Sequence, residues 1–440
     1  MIQNFIESVQ NIWKIPELRK KIGFTFLMLI VYRLGFFIPI PGVDTTAINQ
    51  LIEKLSTSPL GSLFKLADLV SGGGILKFTV FSLGIMPYIS AAIIFQLLTK
   101  VVPKLEAIAK EGASGRQKIE QYTKYSTLAI CIIQGTLIVH QLSHPRTGLV
   151  PDRTVLWIAF AVLVLTTGAM FLIWLGKQID DHGIGNGVSL IIMAGIIARM
   201  PYQLKELMDL VTRNQIHFLA VLLLFLGFIF TVVGVVFIQQ GQRRIPVQQA
   251  KHMRGRRVYG GQHHYMPLRV NMAGVIPIIF ASSLMIFPEL FTKILGRESD
   301  LNRLLQAGGF IYVVLYVALT YFFCFFWNSL IFNPVEMAKN MKEYGSSVPG
   351  IRPGKKTATY LEKIIIRVTL AGATFLAFIA VFPMLLYNAA QIGFVFFLGG
   401  TSLLIVVGVA LDLVQKIESH LLMRHYQGFL GGGGIRGRRG

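Results

Sequence analysis

The sequence predicts an all-α integral membrane protein with ten transmembrane helices in two inverted five-helix halves. Three observations carry this. The 440-residue chain is 53% hydrophobic and only 14% charged, with a mean hydropathy of +0.61, whereas soluble domains average about 25% charged residues. Long uncharged runs recur along the whole chain and read as spans near 22–40, 77–99, 124–141, 155–175, 184–200, 216–238, 270–288, 310–331, 368–387 and 393–412. The net charge of +21 is unevenly spread: with the amino terminus inside, the inner loops and tails hold 30 Lys and Arg, the outer loops 11, and the first span Arg33. That bias sets orientation and places both termini in the cytoplasm. Five spans per half make the second half enter from the opposite side, and inverted halves form a path at their interface.

Residues 1–21 set Phe5, Ile6, Val9, Ile12 and Trp13 at helical spacing ahead of Arg19-Lys20-Lys21, the pattern of an amphipathic interfacial segment. The stretch lacks the apolar core and cleavage site of a secretory leader. The first span ends in Pro39-Ile-Pro-Gly42, which stops the helix at the outer surface, and Arg33 lies near enough to that end to snorkel outward. Leu60 to Gly74 is apolar but reaches only about 22 Å at ~1.5 Å per residue, too short to cross. By its residues alone it lies flat at the interface, with re-entry into a protein cavity as the alternative. Phe78 to Thr99 holds no charge and as one helix would run ~33 Å. It also carries Ser82, Gly84, Pro87, Ser90 and Gln96, residues tolerated where a membrane helix packs on protein or lines a cavity.

The inner loop 100–123 mixes Lys104, Lys110, Arg116 and Lys118 with Glu106, Glu111 and Glu120. Spans three and four read as ordinary lipid-contacting helices. Asp180-Asp181-His182 reads as a solvated turn, because no further metal ligands follow at useful spacing. Gly183-Ile-Gly-Asn-Gly187 follows no strand, so it is no dinucleotide fingerprint; its glycines allow close helix approach. The loop 239–269 carries Arg243, Arg244, Lys251, Arg254, Arg256, Arg257 and Arg269 without a single acid. Such a loop fits an anionic partner: ribosomal RNA, anionic lipids or an acidic protein face. His263-His264 alone is weak evidence for a metal. The seventh span, from Val270, matches the second in carrying small residues and a proline, Pro277, at which each is expected to kink. Pro349-Gly-Ile-Arg-Pro-Gly354 is a rigid turn that holds Arg352 outward. The tail Gly431–Gly440 is flexible and basic. Cys131 and Cys324 fall inside apolar runs and offer no disulfide framework.

After Arg33 the span interiors hold almost no ionisable residue, so neither a proton relay nor a sodium cage can be assembled, and an ion-coupled small-solute carrier is disfavoured. A path of aliphatic and small residues can seal by a dewetted constriction while yielding to something bulky.

Seven motifs, Phe81-Ser-Leu-Gly-Ile-Met-Pro-Tyr-Ile-Ser90, Gly183-Ile-Gly-Asn-Gly-Val-Ser189, Gly241-Gln-Arg-Arg-Ile245, Gly255-Arg-Arg-Val-Tyr259, Asn271-Met-Ala-Gly-Val-Ile-Pro277, Val348-Pro-Gly-Ile-Arg-Pro-Gly354 and Gly399-Gly-Thr-Ser-Leu-Leu-Ile405, occur in order. Through them the chain, from about residue 14 to 426, resembles the bacterial SecY (SecY/Sec61-alpha) family of protein-conducting channels. The resemblance implies a clamshell of two halves with a central pore, 22–202 and 203–412, flanked by the amphipathic segment 1–21 and a cytoplasmic tail 413–440. It implies a pore ring of Ile85, Ile89, Val188, Ile192, Ile279 and Ile405. It implies that 60–74 is a plug, with Leu60, Leu63, Phe64, Leu66, Leu69, Gly72, Gly73 and Gly74, rather than a flat interfacial segment. A lateral gate would include Met86, Pro87 and Ser90 facing Asn271, Gly274 and Pro277. Arg243, Arg244, Arg256, Arg257 and Arg352, in the inner loops 239–269 and 333–367, would contact the SecA motor ATPase or the ribosome. The other implied partners are the small subunits SecE and SecG, the accessory proteins SecD, SecF and YidC, and signal-bearing polypeptides. The implied role is passage of unfolded secretory chains across the bacterial plasma membrane and sideways release of hydrophobic segments, without enzymatic chemistry or a cofactor. Three features depart from the family's pattern: the neutral stretch at Gln239, the glycine run 431–434, and Val188, smaller than the usual isoleucine.

Overall fold

The computed structural model describes residues 15–43, 78–143, 154–213, 217–249, 252–254, 257–259, 263–272, 274–285, 309–390 and 400–431. The chain divides into two compact units: Met1–Pro201 with Val409–Gly440, and Tyr202–Gly408. Among the described residues, five helices are long and apolar enough to cross a membrane, or six if one bent pair counts as a span.

In the first unit, α1 (Pro16–Gly35) opens on a proline, whose missing N–H costs nothing in a first turn. It closes with the Arg33 guanidinium 5.8 and 5.6 Å from the Phe36 and Phe37 ring centroids, so aromatic faces receive the charge. The run expected as one helix from Phe78 to Thr99 is not one. Phe78–Ile85 forms turns, and α2 spans only Met86–Val101. Gly84 at φ +58° breaks the helical path, and Pro87 starts the helix instead of kinking it. At its other end Pro103 forces Val102 into an extended conformation, and the chain bends by 99° into α3 (Pro103–Lys110).

Helices α4 (Ala113–Leu142) and α5 (Val155–His182) pack along each other. Helix α5 is not merely lipid-contacting: Ala161, Leu165, Gly168, Leu172, Leu175 and Ile179 form a buried face at helical spacing. Toward the start of α4 and the end of α5 the Glu120 carboxylate receives Lys124 (2.8 Å) and Lys177 (3.1 Å). Asp180 has a defined role at the end of α5. Its carboxylate accepts the Gly187 N–H at 2.7 Å and ties down the glycine turn before α6 (Gly187–Ile197). Asn186 caps α6 by accepting from the Ser189 N–H, 3.0 Å. The close approach read from the glycines is literal, since a Cβ on Gly187 would lie 2.0 Å from the Gly176 carbonyl oxygen. Helix α7 (Met200–Thr212) follows.

The second unit is not purely helical. Helix α8 (Phe218–Gln240) leads into β1 (Gln242–Gln249), which pairs antiparallel with β4 (His263–Arg269); between them lies the hairpin β2 (His252–Arg254) and β3 (Arg257–Tyr259). Thus the expected basic loop is largely strand. His263 and His264 are consecutive positions of β4. Helices α9 (Ile276–Leu284), α10 (Phe310–Ile331) and α11 (Pro334–Glu343) precede β5 (Ser346–Ser347), which adds to β1 to give the order β4-β1-β5. The long helix α12 (Lys355–Ala390) follows, and α13 (Gly400–Gly431) begins in this unit and from Val409 belongs to the first. Cys131 and Cys324 are free and buried.

Replacing Asp180 with Ala leaves the Gly187 N–H without its carboxylate and is expected to destabilise the first unit by about 1 kcal/mol. A lowered melting temperature of the detergent-solubilised protein is the readout, and Asp180→Asn should recover part of the loss.

Candidate functional site

The candidate residues are built around two stretches of backbone that are not helical although each leads an apolar helix. In the first unit, the Val80 N–H donates to the Ile38 carbonyl (3.1 Å), the Ile40 N–H to the Phe78 carbonyl (3.0 Å), and Pro39 bridges Thr79. Within Phe78–Ile85 all residues but the half-buried Val80 are buried, as membrane-depth backbone outside a helix must be. Two glycines make room for it. A Cβ on Gly168 of α5 would sit 2.1 Å from the Val80 carbonyl oxygen, and one on Gly35 would fall inside the Phe81 ring.

The second unit repeats this arrangement. The Val270 N–H donates to the Gly241 carbonyl (2.8 Å), where α8 ends, and a Cβ on Gly372 of α12 would sit 2.5 Å from the Val270 carbonyl oxygen. Four residues after each valine stands a glycine at positive φ, Gly84 (+58°) and Gly274 (+63°). Each is followed by an aliphatic residue, Ile85 or Val275, and three residues on by Pro87 or Pro277 in the first helical turn. Asn271 closes the second turn by donating its Nδ2 to the Gly274 carbonyl, 3.0 Å.

Of the residues proposed for the ring, Ile85, Ile89, Val188 and Ile192 come together in one apolar cluster with Tyr32, Phe36, Phe81, Leu172, Leu175 and Ile179. Ile85 is 4% exposed, and the other three are half-buried. Ile279 lies on α9, with its side chain outside the described residues, and Ile405 is half-buried on α13 in the second unit. Met86, Pro87 and Ser90 occupy the first turns of α2, while Asn271, Gly274 and Pro277 occupy the turn and first residues leading α9. The plug candidates Leu60, Leu63, Phe64, Leu66, Leu69, Gly72, Gly73 and Gly74 lie outside the described residues, as does Arg256.

Sequence reasoning passed over Val275, which stands where Ile85 stands in the first unit, and the seating glycines Gly168 and Gly372. An internal signal was present. Val80-Phe-Ser-Leu-Gly-Ile-Met-Pro87 aligns with Val270-Asn-Met-Ala-Gly-Val-Ile-Pro277, and Gly187-Val-Ser-Leu-Ile-Ile-Met-Ala-Gly195 with Gly400-Thr-Ser-Leu-Leu-Ile-Val-Val-Gly408. The second alignment sets Ile192 against Ile405. A Cβ on Gly408 would lie 3.1 Å from Gln239 Nε2 and 3.4 Å from Val275 Cγ2, so the neutral Gln239 belongs to the surroundings of α9.

The basic residues form a separate surface. Arg243 and Arg244 are exposed on β1, opposite Leu268 and Pro267 of β4. Ile245, Leu268, Val348, Leu361 and Ile365 form one buried cluster, which fixes the hairpin to the start of α12 and to the turn carrying the exposed Arg352. The Arg352 carbonyl accepts from the Thr357 hydroxyl at 3.0 Å, holding that turn against the helix. Arg257 lies on β3. Between α3 and α4, a hydrogen bond from Lys118 of α4 to Glu111 raises the lysine pKa above its ordinary value. Among the described residues no group of His, Cys, Asp and Glu could hold a metal.

A family model, SecY, matches residues 79–414. The protein translocase subunit SecY of Thermotoga maritima is 42% identical over 438 residues, covering 98% of this chain and 100% of the relative. That of Escherichia coli K12 is 44% identical over 429 residues, covering 96% of each. Among solved structures, a protein-conducting channel superposes with a TM-score of 0.62 at 18% identity, over 93% of this chain and 96% of the other. Sec61 in the canine ribosome-channel complex of the endoplasmic reticulum gives 0.59 at 18%, with the same coverage. In fold and in sequence along nearly its whole length, this chain belongs to the SecY family.

Proposed function

We propose that this chain is the pore-forming subunit of a protein translocase. It conducts unfolded polypeptide across a membrane and releases hydrophobic segments sideways into lipid. The observation that carries the reading is the matched pair of glycine-seated turns, each delivering an aliphatic residue and a proline-started helix, in a chain akin to SecY over nearly all its length. The constriction is formed by Ile85, Ile89, Val188, Ile192, Ile279 and Ile405, with Val275 added by the repeat. Branched aliphatic side chains bind no particular solute, exclude water and ions when in contact, and part around a chain of any sequence. The segment 60–74 closes the outer side as a plug. Met86, Pro87 and Ser90 of one half, with Asn271, Gly274 and Pro277 of the other, form the lateral gate. A hydrophobic signal segment favours the open state because it binds that state better.

The channel does no chemistry of its own. Movement is driven from the cytoplasmic side, where Arg243, Arg244, Arg256, Arg257 and Arg352 meet the SecA motor or the ribosome. The cluster joining hairpin and turn supports a shared docking base. SecE and SecG complete the membrane complex, SecD, SecF and YidC assist it, and anionic lipids meet its basic inner face. In this reading the protein lies in a bacterial plasma membrane with both termini cytoplasmic, an orientation that the Lys and Arg bias supports.

Photocrosslinkers placed at Ile85, Ile279 and Ile405 are expected to capture a stalled secretory precursor in native membranes. Capture from none of them, with capture from the lipid-facing Leu163, would overturn the conduit. Changing Ile85, Ile192 and Ile279 together to Gly should make the reconstituted resting channel conduct ions; baseline conductance would remove the ring assignment. Arg352→Glu should abolish motor-driven export while the membrane complex still assembles, and unchanged export kinetics would show that Arg352 is not part of the coupling.

A further inference from the structure

We infer that Gly168 and Gly372 are positioning residues for the constriction: each seats the carbonyl that fixes where its pore helix begins. This rests on the channel reading above. Both seats have the same parts. The valine N–H is held by a carbonyl just beyond the end of a helix: Ile38, three residues past α1, for Val80, and Gly241, directly after α8, for Val270. The valine carbonyl then lies so close to a helical glycine that any Cβ there would overlap it, at 2.1 Å for Gly168 and 2.5 Å for Gly372. Held at both its N–H and its C=O, the peptide backbone at each valine has little freedom to shift or rotate. Five residues later comes the aliphatic side chain of the constriction, Ile85 or Val275, and nine residues later Ile89 or Ile279. Gly84 and Gly274, at positive φ, lie between seat and helix. Backbone there turns without a Cβ penalty, so each helix pivots beyond a seat that stays fixed.

Two features separate these glycines from ordinary small residues in a membrane helix. The contact is with backbone oxygen, which no rotamer change can relieve. It also recurs in both units at one register with the downstream glycine and proline, which the carbonyl contacts of Gly115 and Gly187 do not, and some other helical glycines have room. Gly135 on α4 has its nearest neighbour at 3.6 Å, and Gly227 on α8 has none within 4 Å.

The test uses the full chain reconstituted with its membrane partners in lipid vesicles, with potassium flux through the resting channel as the signal. Gly168→Ala and Gly372→Ala displace the seated turn and spoil the aliphatic contact, and each should raise resting flux about tenfold, the factor expected when overpacking strains the closed arrangement selectively. Gly135→Ala and Gly227→Ala should stay at the unmodified level. If both seat variants stay sealed while the triple change of Ile85, Ile192 and Ile279 to Gly conducts, the seats are not positioning elements and the ring stands. If that triple change also stays sealed, the ring reading fails and this inference with it. Hydrogen exchange on the unmodified channel covers the case of variants that do not accumulate. The Val80 and Val270 amides should stay protected in both the resting and the precursor-loaded channel, while exchange changes at the first turns of α2 and α9. Loss of protection at either valine on loading would overturn the fixed seat.

Discussion

A membrane leaves no free water for a backbone group outside a helix, and this constraint governs the arrangement around α2 and α9. Each of these apolar helices is preceded by turns whose peptide groups need partners inside the protein. The chain meets the requirement with backbone hydrogen bonds such as those from Val80 to Ile38 and from Val270 to Gly241, and it presses the turns onto neighbouring helices so closely that side chains are excluded at the contact. Gly168 and Gly372 are the sites of that exclusion, and Gly35 makes the matching space for Phe81. The aromatic contacts of Tyr32, Phe36 and Phe81 then enclose the first turn from the α1 side. Packing of this kind depends on backbone shape and tolerates little change in volume.

The basic surface is built on a different balance. Arg243, Arg244 and Arg352 are exposed and contribute little to stability, since exposed ion pairs are worth roughly 0–1 kcal/mol. What holds them is apolar. The strand pair β1 and β4 buries Ile245 and Leu268 against Val348 and against Leu361 and Ile365 of α12, so hairpin and turn share one footing. β5 extends the same sheet by pairing Ser347 with Gln248. Exposed positive charge favours anionic surfaces in general, and the apolar footing gives these charges a fixed geometry.

The internal repeat joins the two themes. Val80 and Val270 occupy equivalent places in units that share few residues, and the equivalence is one of backbone course more than of side chains. Phe81 in one unit stands where Asn271 stands in the other. The first fills a slot against Gly35, while the second hydrogen-bonds within its own turn. Two chemistries therefore support one geometry.

Much of this protein was legible in the sequence because hydropathy is a property of side chains that adds along a segment. The membrane class, the approximate places of the apolar helices, the acid-free basic stretch and the kinship carried by its motifs all follow from residues in order. The closeness permitted by Gly183–Gly187 was readable from the residues in order. The break before Met86 was not, although Gly84 and Pro87 were visible, because an uncharged run carries the same hydropathy whether helical or turned. Nor did the basic stretch around Arg243 and Arg244 announce strands, since β1 is stabilised by pairing with β4 and by Val348, far along the chain. Asp180 looked solvated until its partner Gly187 was in place. The roles of Gly168 and Gly372 were decided by tertiary structure alone. A glycine inside an apolar helix is locally unremarked, and only folding brings a distant carbonyl to the space where its side chain would have been.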